Sequence, residues 1–182
     1  MYRTEAIILK KDEWNEADLL VTALAERFGK IRLLAQGVRK HGAKLRGHLE
    51  PYSLSQLSFV VGRQGYRLIS AELMEFFANL RRDISSLAAA AIMTETLDGN
   101  LFEERDGAER YFGLLTRSFR VLDSAPGRAA DEVLSKFHMK FLELMGVVAA
   151  GDDPADLVAL YGRAGHTVKP PRAIFLPDFR LY

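Results

Sequence analysis

The sequence predicts an α+β protein, a five-stranded barrel followed by a helical bundle, and three observations predict it. Up to about residue 80, apolar residues come in short or alternating runs separated by turn residues, which is the pattern of strands. Beyond that point they recur every three or four residues, the pattern of helices. The charge balance changes at the same place. Residues 1–82 carry 14 Lys/Arg against 9 Asp/Glu, a net of +5, and residues 83–182 carry 11 against 15, a net of −4. With 48% apolar and 10% aromatic residues the chain is rich enough to bury one good core or two small ones. Two differently charged parts suggest two tasks.

Five strands are expected, over 3–10, 19–25, 30–35, 57–61 and 66–71. The breaks between them are Asp12 to Glu16, then Arg27-Phe28-Gly29, then a long connection from Gln36 to Ser55 holding Gly37, Gly42, Gly47 and Pro51. The last is Gly62 to Gly65, which reads as a hairpin turn. Five short strands with one long connection after the third fit a closed Greek-key barrel of the oligonucleotide-binding (OB) type, and an SH3-like barrel would give much the same pattern.

The first helix is expected over 82–97, with Ile84, Leu87, Ala88, Ala91, Ile92 and Glu95 on neighbouring faces and Asp83 with Ser85 or Ser86 supplying a polar start. A second is expected over 107–122, on the spacing of Tyr111, Leu114, Leu115, Phe119 and Leu122. The third, over 128–145, carries the stripe Val133, Leu134, Phe137, Phe141, Leu144 and Met145, with Gly146 as its stop. A shorter fourth, 154–161, begins with proline behind Asp152 and Asp153. The expected division is therefore a barrel over 1–80, a helical domain over 81–165 and an extended tail over 166–182 that contains three prolines. There is no internal repeat and no low-complexity tract beyond the alanines near residue 90.

The first residues, MYRTEAIILK, do not read as a signal peptide, and no apolar run approaches the roughly 20 residues that cross a bilayer. A cytoplasmic location is the expectation, and the absence of cysteine agrees with it while removing disulfides, thiol catalysis and Cys-ligated zinc. No catalytic motif is found. Gly62-Arg63-Gln64-Gly65 lacks the spacing and the Lys-Ser/Thr of a phosphate loop. His41 and His48 stand in a basic loop, where cations oppose a metal, and His138 beside Phe137 reads as a partly covered side chain. No enzyme, metal or cofactor is expected.

Binding chemistry is better founded. Between Glu26 and Glu50 lie seven Lys/Arg residues: Arg27, Lys30, Arg32, Arg39, Lys40, Lys44 and Arg46. Lys30 and Arg32 alternate with Ile31 and Leu33, so the cations share one strand face and the apolar residues enter the core. Arg39, Lys40, Lys44 and Arg46 follow in a glycine-punctuated loop whose backbone could approach a phosphate, each neutralised phosphate releasing counterions. Tyr2, Trp14, Phe28, Tyr52, Phe59 and Tyr66 are the aromatic candidates for base stacking. Phe28 and Phe59 read better as packing residues, and Trp14, in a polar loop, as the exposed stacker. The plain alternative for the basic cluster is a solvated loop.

These residues resemble a known family. The order Glu5-Ala6-Ile7-Ile8-Leu9, Glu16-Ala17-Asp18-Leu19-Leu20, Phe28-Gly29-Lys30-Ile31, Ala35-Gln36-Gly37-Val38-Arg39-Lys40 and Leu49-Glu50-Pro51-Tyr52 is similar to the amino-terminal barrel of RecO, the bacterial recombination mediator. Leu80-Arg81-Arg82-Asp83 and Leu142-Glu143-Leu144-Met145-Gly146 extend the likeness over most of residues 1–146. The resemblance implies an OB barrel ahead of a helical bundle, in a protein that is not an enzyme and that binds single- and double-stranded DNA and anneals complementary strands. It also implies RecR and single-stranded-DNA-binding protein as partners in loading the recombinase. Many relatives carry a four-cysteine zinc element beyond the equivalent of Gly146, and this chain has no cysteine.

Two functions are therefore weighed. The first is a DNA-binding and annealing mediator, with Lys30, Arg32, Arg39, Lys40, Lys44 and Arg46 on phosphates and Trp14 stacking. The second is an adaptor whose helical domain receives a partner along the stripe from Val133 to Met145, with little DNA affinity in the barrel.

Overall fold

The computed structural model describes residues 1–38, 45–63, 65–103, 107–127, 130–148, 159, 161–162 and 168–171. The chain forms two compact units, one of Met1–Phe76 with Leu101–Gly113 and the other of Phe77–Asn100 with Leu114–Tyr182.

The first unit is built on strands β1 (Tyr2–Glu13), β2 (Leu19–Ala25), β3 (Gly29–Ala35), β4 (Leu54–Gly62) and β5 (Gly65–Glu75). They close into a barrel in the order β1-β2-β3-β5-β4, with β4 pairing back onto β1. Every neighbouring pair is antiparallel except β3 with β5, which is parallel. This is the OB arrangement, and the SH3-like alternative falls away. Val21, Ala23, Ile31, Leu33, Leu57 and Phe59 fill the interior together with Ala25 and Ala35. Small residues on β2 leave the volume that Phe59 occupies, and Phe59 is completely buried.

β1 is longer than the apolar run predicts. Its pairing with β2 continues through Lys10, Lys11 and Asp12 to Glu13, because strand pairing needs only backbone groups and none of these side chains is fully buried. A bulge at Leu9, between the pairs Ile8–Ala23 and Lys10–Thr22, shifts the register there.

In the second unit, α1 (Ala78–Arg82) precedes α2 (Ile84–Asn100), where one helix starting at residue 82 is expected from sequence. Asp83 separates them. Its backbone is extended, and its Oδ1 accepts the N–H of Ser86 at 2.8 Å, capping the start of α2. These hydrogen bonds to Ser86 hold the Asp83 carboxyl below its ordinary range. Asp123 does the same for α1, accepting the N–H groups of Asn79 at 2.8 Å and Leu80 at 3.0 Å.

The buried face of α2 matches the expected one at Ile92 and differs from it elsewhere. Ile84 is 83% exposed and Ala88 exposed, whereas Ser86, Ala89, Ala90, Met93, Thr94 and Thr96 are buried. Thr94 and Thr96 enter the interior because each hydroxyl donates back to its own helix, Thr94 to Ala90 O at 2.9 Å and Thr96 to Ile92 O at 2.8 Å. Helix α3 (Ala108–Ser124) buries Tyr111, Leu114, Leu115, Phe119 and Leu122 as its spacing predicts. Helix α4 (Ala130–Leu144) buries Leu134, Phe137, Phe141 and Leu142. It ends at Gly146, whose φ of 75° lets Val147 N–H reach Leu142 O and Gly146 N–H reach Glu143 O, both at 2.9 Å.

The expected helix over 154–161 and the tail over 166–182 lie largely outside the described residues. Of the tail, Lys169 exchanges two hydrogen bonds with the Asn100 carboxamide, at 2.8 and 2.6 Å.

His138, expected to be partly covered, is completely buried. Thr96 Oγ1 lies 3.2 Å from Nε2, and since that hydroxyl donates to Ile92 it receives the imidazole N–H. Nδ1 has no hydrogen-bond partner among the described residues, and the Tyr161 ring stands edge-on at 5.8 Å. Burial pushes this imidazole from the ordinary 6.5 down to about 4. The unfolded chain therefore binds the extra proton first, and stability should fall as pH drops from about 6.5 towards about 4, by up to about 3 kcal/mol. Urea unfolding across that range checks this, and His138→Gln should remove that part of the slope. A second expected outcome concerns the barrel: Phe59→Ala should cost about 3–5 kcal/mol in the same assay, and a loss below about 1 would refute its role as the central filler.

Candidate nucleic-acid interface

The outward surface of β2 and β3 follows from strand alternation. On β3, Ile31, Leu33 and Ala35 are buried, Lys30 and Leu34 are half-buried and Arg32 is exposed. Lys30 and Arg32 thus share the outer face, as the alternation predicts. Across the β2–β3 pairing Thr22 stands opposite Arg32 and Leu20 opposite Leu34, so an apolar floor continues from the cationic position.

Two loops border this face. The first joins β1 to β2 and carries Trp14, 52% exposed. It is closed by the Trp14 N–H donating to Asp18 O at 3.2 Å. The Asp18 carboxylate accepts the N–H of Gly37 at 2.8 Å and the side-chain N–H of Asn15 at 3.4 Å. One acid therefore fixes the Trp14 loop to the start of the long basic connection. The second loop is the β4–β5 turn. Gly62 pairs with Gly65, whose φ of 105° is open to glycine and strained for other residues. Because β5 pairs with β3, with Leu33 beside Tyr66 and Leu34 beside Arg67, this turn is delivered to the β3 edge.

The result is a cleft of about 380 Å³ lined by Trp14, Leu20, Arg32, Leu34, Tyr66 and Glu103 together with Val61 and Gly65. The face of strands 2 and 3 between the first and fourth loops is where OB barrels take oligonucleotides and oligosaccharides. Trp14 and Tyr66 supply aromatic surface, Arg32 a cation and Leu20 and Leu34 an apolar bed. Such a site suits stacked bases with a phosphate beside them.

The other aromatic candidates have structural work. Phe59 lies 5.3 Å from Phe28 and 4.9 Å from Tyr66 between ring centres, and Tyr2 is 5.5 Å from both Phe28 and Phe59. This cluster plugs one end of the barrel, and Tyr66 belongs both to it and to the cleft. Tyr52 adopts a left-handed φ of 64°, and its N–H donates to Ile8 O at 2.8 Å. His48 is an anchor: its Nδ1 accepts the Leu73 N–H at 3.1 Å and its carbonyl the Ser55 hydroxyl at 2.7 Å.

Of the remaining expected contacts, Arg39, Lys40 and Lys44 lie outside the described residues, as does the side chain of Arg46, whose backbone begins the 3₁₀ turn Arg46–His48. Val38 is buried in the barrel core, which ties down the start of that connection. At its end Lys11 pairs with Glu50 at 2.9 Å.

Three residues at or beside the cleft escape a sequence reading. Arg63 and Arg67, both exposed, flank the β4–β5 turn, and only the parallel β3–β5 ladder brings that turn beside Arg32. Glu103 comes from far along the chain. Its backbone bridges to Gly29 and Lys30, and its Oε1 lies 4.0 Å from Arg32 Nε.

Comparison with known proteins agrees with this architecture. The family profile "Recombination protein O N terminal" matches residues 1–77, and "Recombination protein O C terminal" matches residues 81–153. The DNA repair protein RecO of Roseiflexus sp. (strain RS-1) is 34% identical over 146 residues, covering 80% of this chain and 50% of that protein. That of Desulforamulus reducens is 33% identical over 147 residues, 81% of this chain and 56% of the relative. That of Frankia casuarinae is 33% identical over 153 residues, 84% and 63%. The chain spans about half the length of the first two of these relatives. With both halves matched in order over a closed OB barrel and a helical unit, the chain belongs to the RecO family.

Proposed function

We propose that this chain is a DNA-binding recombination mediator that takes single-stranded DNA on the β2–β3 face of its barrel. The observation that carries this reading is the cleft, where Trp14 and Tyr66 stand beside Arg32 between the first and fourth loops. Bases stack on Trp14, phosphates meet Arg32, Lys30, Arg63 and Arg67, and Arg39, Lys40, Lys44 and Arg46 extend the cationic track to further phosphates and to duplex. A surface of this kind holds two complementary strands without sequence preference and so favours annealing. No catalytic step is needed. In the cell the protein acts in the cytoplasm on nucleoid DNA, with RecR and single-stranded-DNA-binding protein as partners in recombinase loading, as the family resemblance implies.

A second reading is favoured by one feature of the helical unit. Leu114, Val121, Val133 and Phe137 floor a groove of about 410 Å³ between α3 and α4, with Arg117, Lys136 and Lys140 on its rim. Val121 is 45% exposed. Glu132 lines the groove as well and pairs with Lys136, and Lys140 pairs with Glu143, so an apolar floor with a rim of mixed charge suits an amphipathic segment, which is the adaptor function centred on this unit.

Fluorescence anisotropy with labelled single-stranded DNA tests the first reading. Binding through about six phosphates should weaken by roughly two to three orders of magnitude between 50 and 200 mM salt. Trp14→Ala should weaken it about tenfold, and Arg39→Glu with Lys40→Glu should remove most of it. Absence of binding at low salt would sink the mediator reading. The groove is tested separately, by titrating RecR and single-stranded-DNA-binding protein against Val133→Asp. Loss of either partner with DNA affinity unchanged supports the adaptor reading, and unchanged partner binding refutes it.

A further inference from the structure

One acid stands among the groups of the cleft. Glu103 lies in the barrel unit although it follows α2 in sequence, and its backbone bridges to Gly29 and Lys30 at the start of β3. Its side chain lines the cleft with Trp14 and Arg32, its Oε1 4.0 Å from Arg32 Nε. The two side chains keep 50% and 55% of their surface exposed, Arg32 first.

The separation is too long for a hydrogen bond, and a pair so exposed is weak. What keeps Glu103 there is its main chain. A carboxylate offers only acceptor oxygens with a negative charge, the same chemistry that a nucleic-acid phosphate offers to a guanidinium. At 4.0 Å the carboxylate occupies no donor of Arg32, but its charge offsets the one that a phosphate would meet there.

We propose that Glu103 is an internal competitor with nucleic-acid phosphate at Arg32, and so a residue that sets both the affinity of the cleft and the number of phosphates it engages. This rests on the reading of the cleft as a single-strand site. With the carboxylate in place, the cleft receives base faces at Trp14 and Tyr66 but discourages the backbone at Arg32. A phosphate that approaches Arg32 meets the carboxylate charge beside it, and the weakness of the pair lets the carboxylate swing away.

Binding of labelled single-stranded DNA to the intact chain, measured across a salt series, tests the proposal. Glu103→Gln keeps the size of the side chain and the backbone bridges while removing the charge. It should tighten binding about fivefold at low salt. It should also steepen the slope of log affinity against log salt by about 0.7, the value of one further phosphate on a single strand. Glu103→Ala should do the same. In an Arg32→Gln background the change of slope should vanish. Unchanged affinity in Glu103→Gln overturns the proposal. Tighter binding with an unchanged slope also overturns it, because general repulsion would then be the whole effect. Trp14→Ala separates the two failures. If it leaves binding untouched, the reading of the cleft is wrong and the competitor role goes with it. If it weakens binding while Glu103→Gln changes nothing, the competitor role alone is refuted.

Discussion

The outward face of the barrel depends on a parallel ladder of two residue pairs, Leu33 with Tyr66 and Leu34 with Arg67. All other strand neighbours are antiparallel, joined by longer ladders, and the five strands so paired would still leave β3 and β5 as open edges. Closure removes both edges, and it also carries the β4–β5 turn to the cations of β3. Support comes from inside the barrel. Tyr66 packs edge-on against Phe59, so the ring that helps wall the cleft is held by the largest buried side chain of that core. Stability and the shape of the cleft are thereby coupled through one aromatic contact.

The helical unit meets a different constraint, the burial of polar groups. Thr94 and Thr96 return their hydroxyl protons to carbonyls one turn back, which leaves Thr96 Oγ1 free to accept from His138. The interior thus absorbs an imidazole through a local bond and a shared oxygen, with no charged partner. The cost is borne at Nδ1, which has no partner among the described residues, and burial keeps the ring neutral at ordinary pH. An acid-sensitive group inside the helical unit is here a by-product of packing.

Features governed by neighbours in sequence were legible before any coordinates. The alternation of Lys30, Ile31, Arg32 and Leu33 is local, and β3 places these residues as it predicts. Gly146 as the stop of α4 and Asp83 as the start of α2 are equally local, resting on backbone conformation and on a cap three residues away. The buried face of α2 was not legible, because an alanine-rich helix is apolar on nearly every side and its threonines satisfy themselves. The end of β1 beyond Lys10 was not legible for a related reason: Lys11 to Glu13 pair through their backbone while their side chains are polar. At the cleft, Trp14 and Arg32 could be chosen from composition and spacing. Arg67 and Glu103 could not, since one arrives by barrel closure and the other by a bridge spanning more than seventy residues of chain.

The bond pair between Asn100 and Lys169 bears on how this sequence can vary. Asn100 donates to the Lys169 carbonyl and accepts its N–H, so it reads a peptide group and nothing of the lysine side chain. Position 169 is then open to any residue that retains an N–H, proline alone being barred. Position 100 has no such freedom: aspartate lacks the donor, and glutamine sets the amide one methylene too far out. Drift at one end of this contact is therefore silent, while at the other end the amide must persist for the distant segment to keep its place.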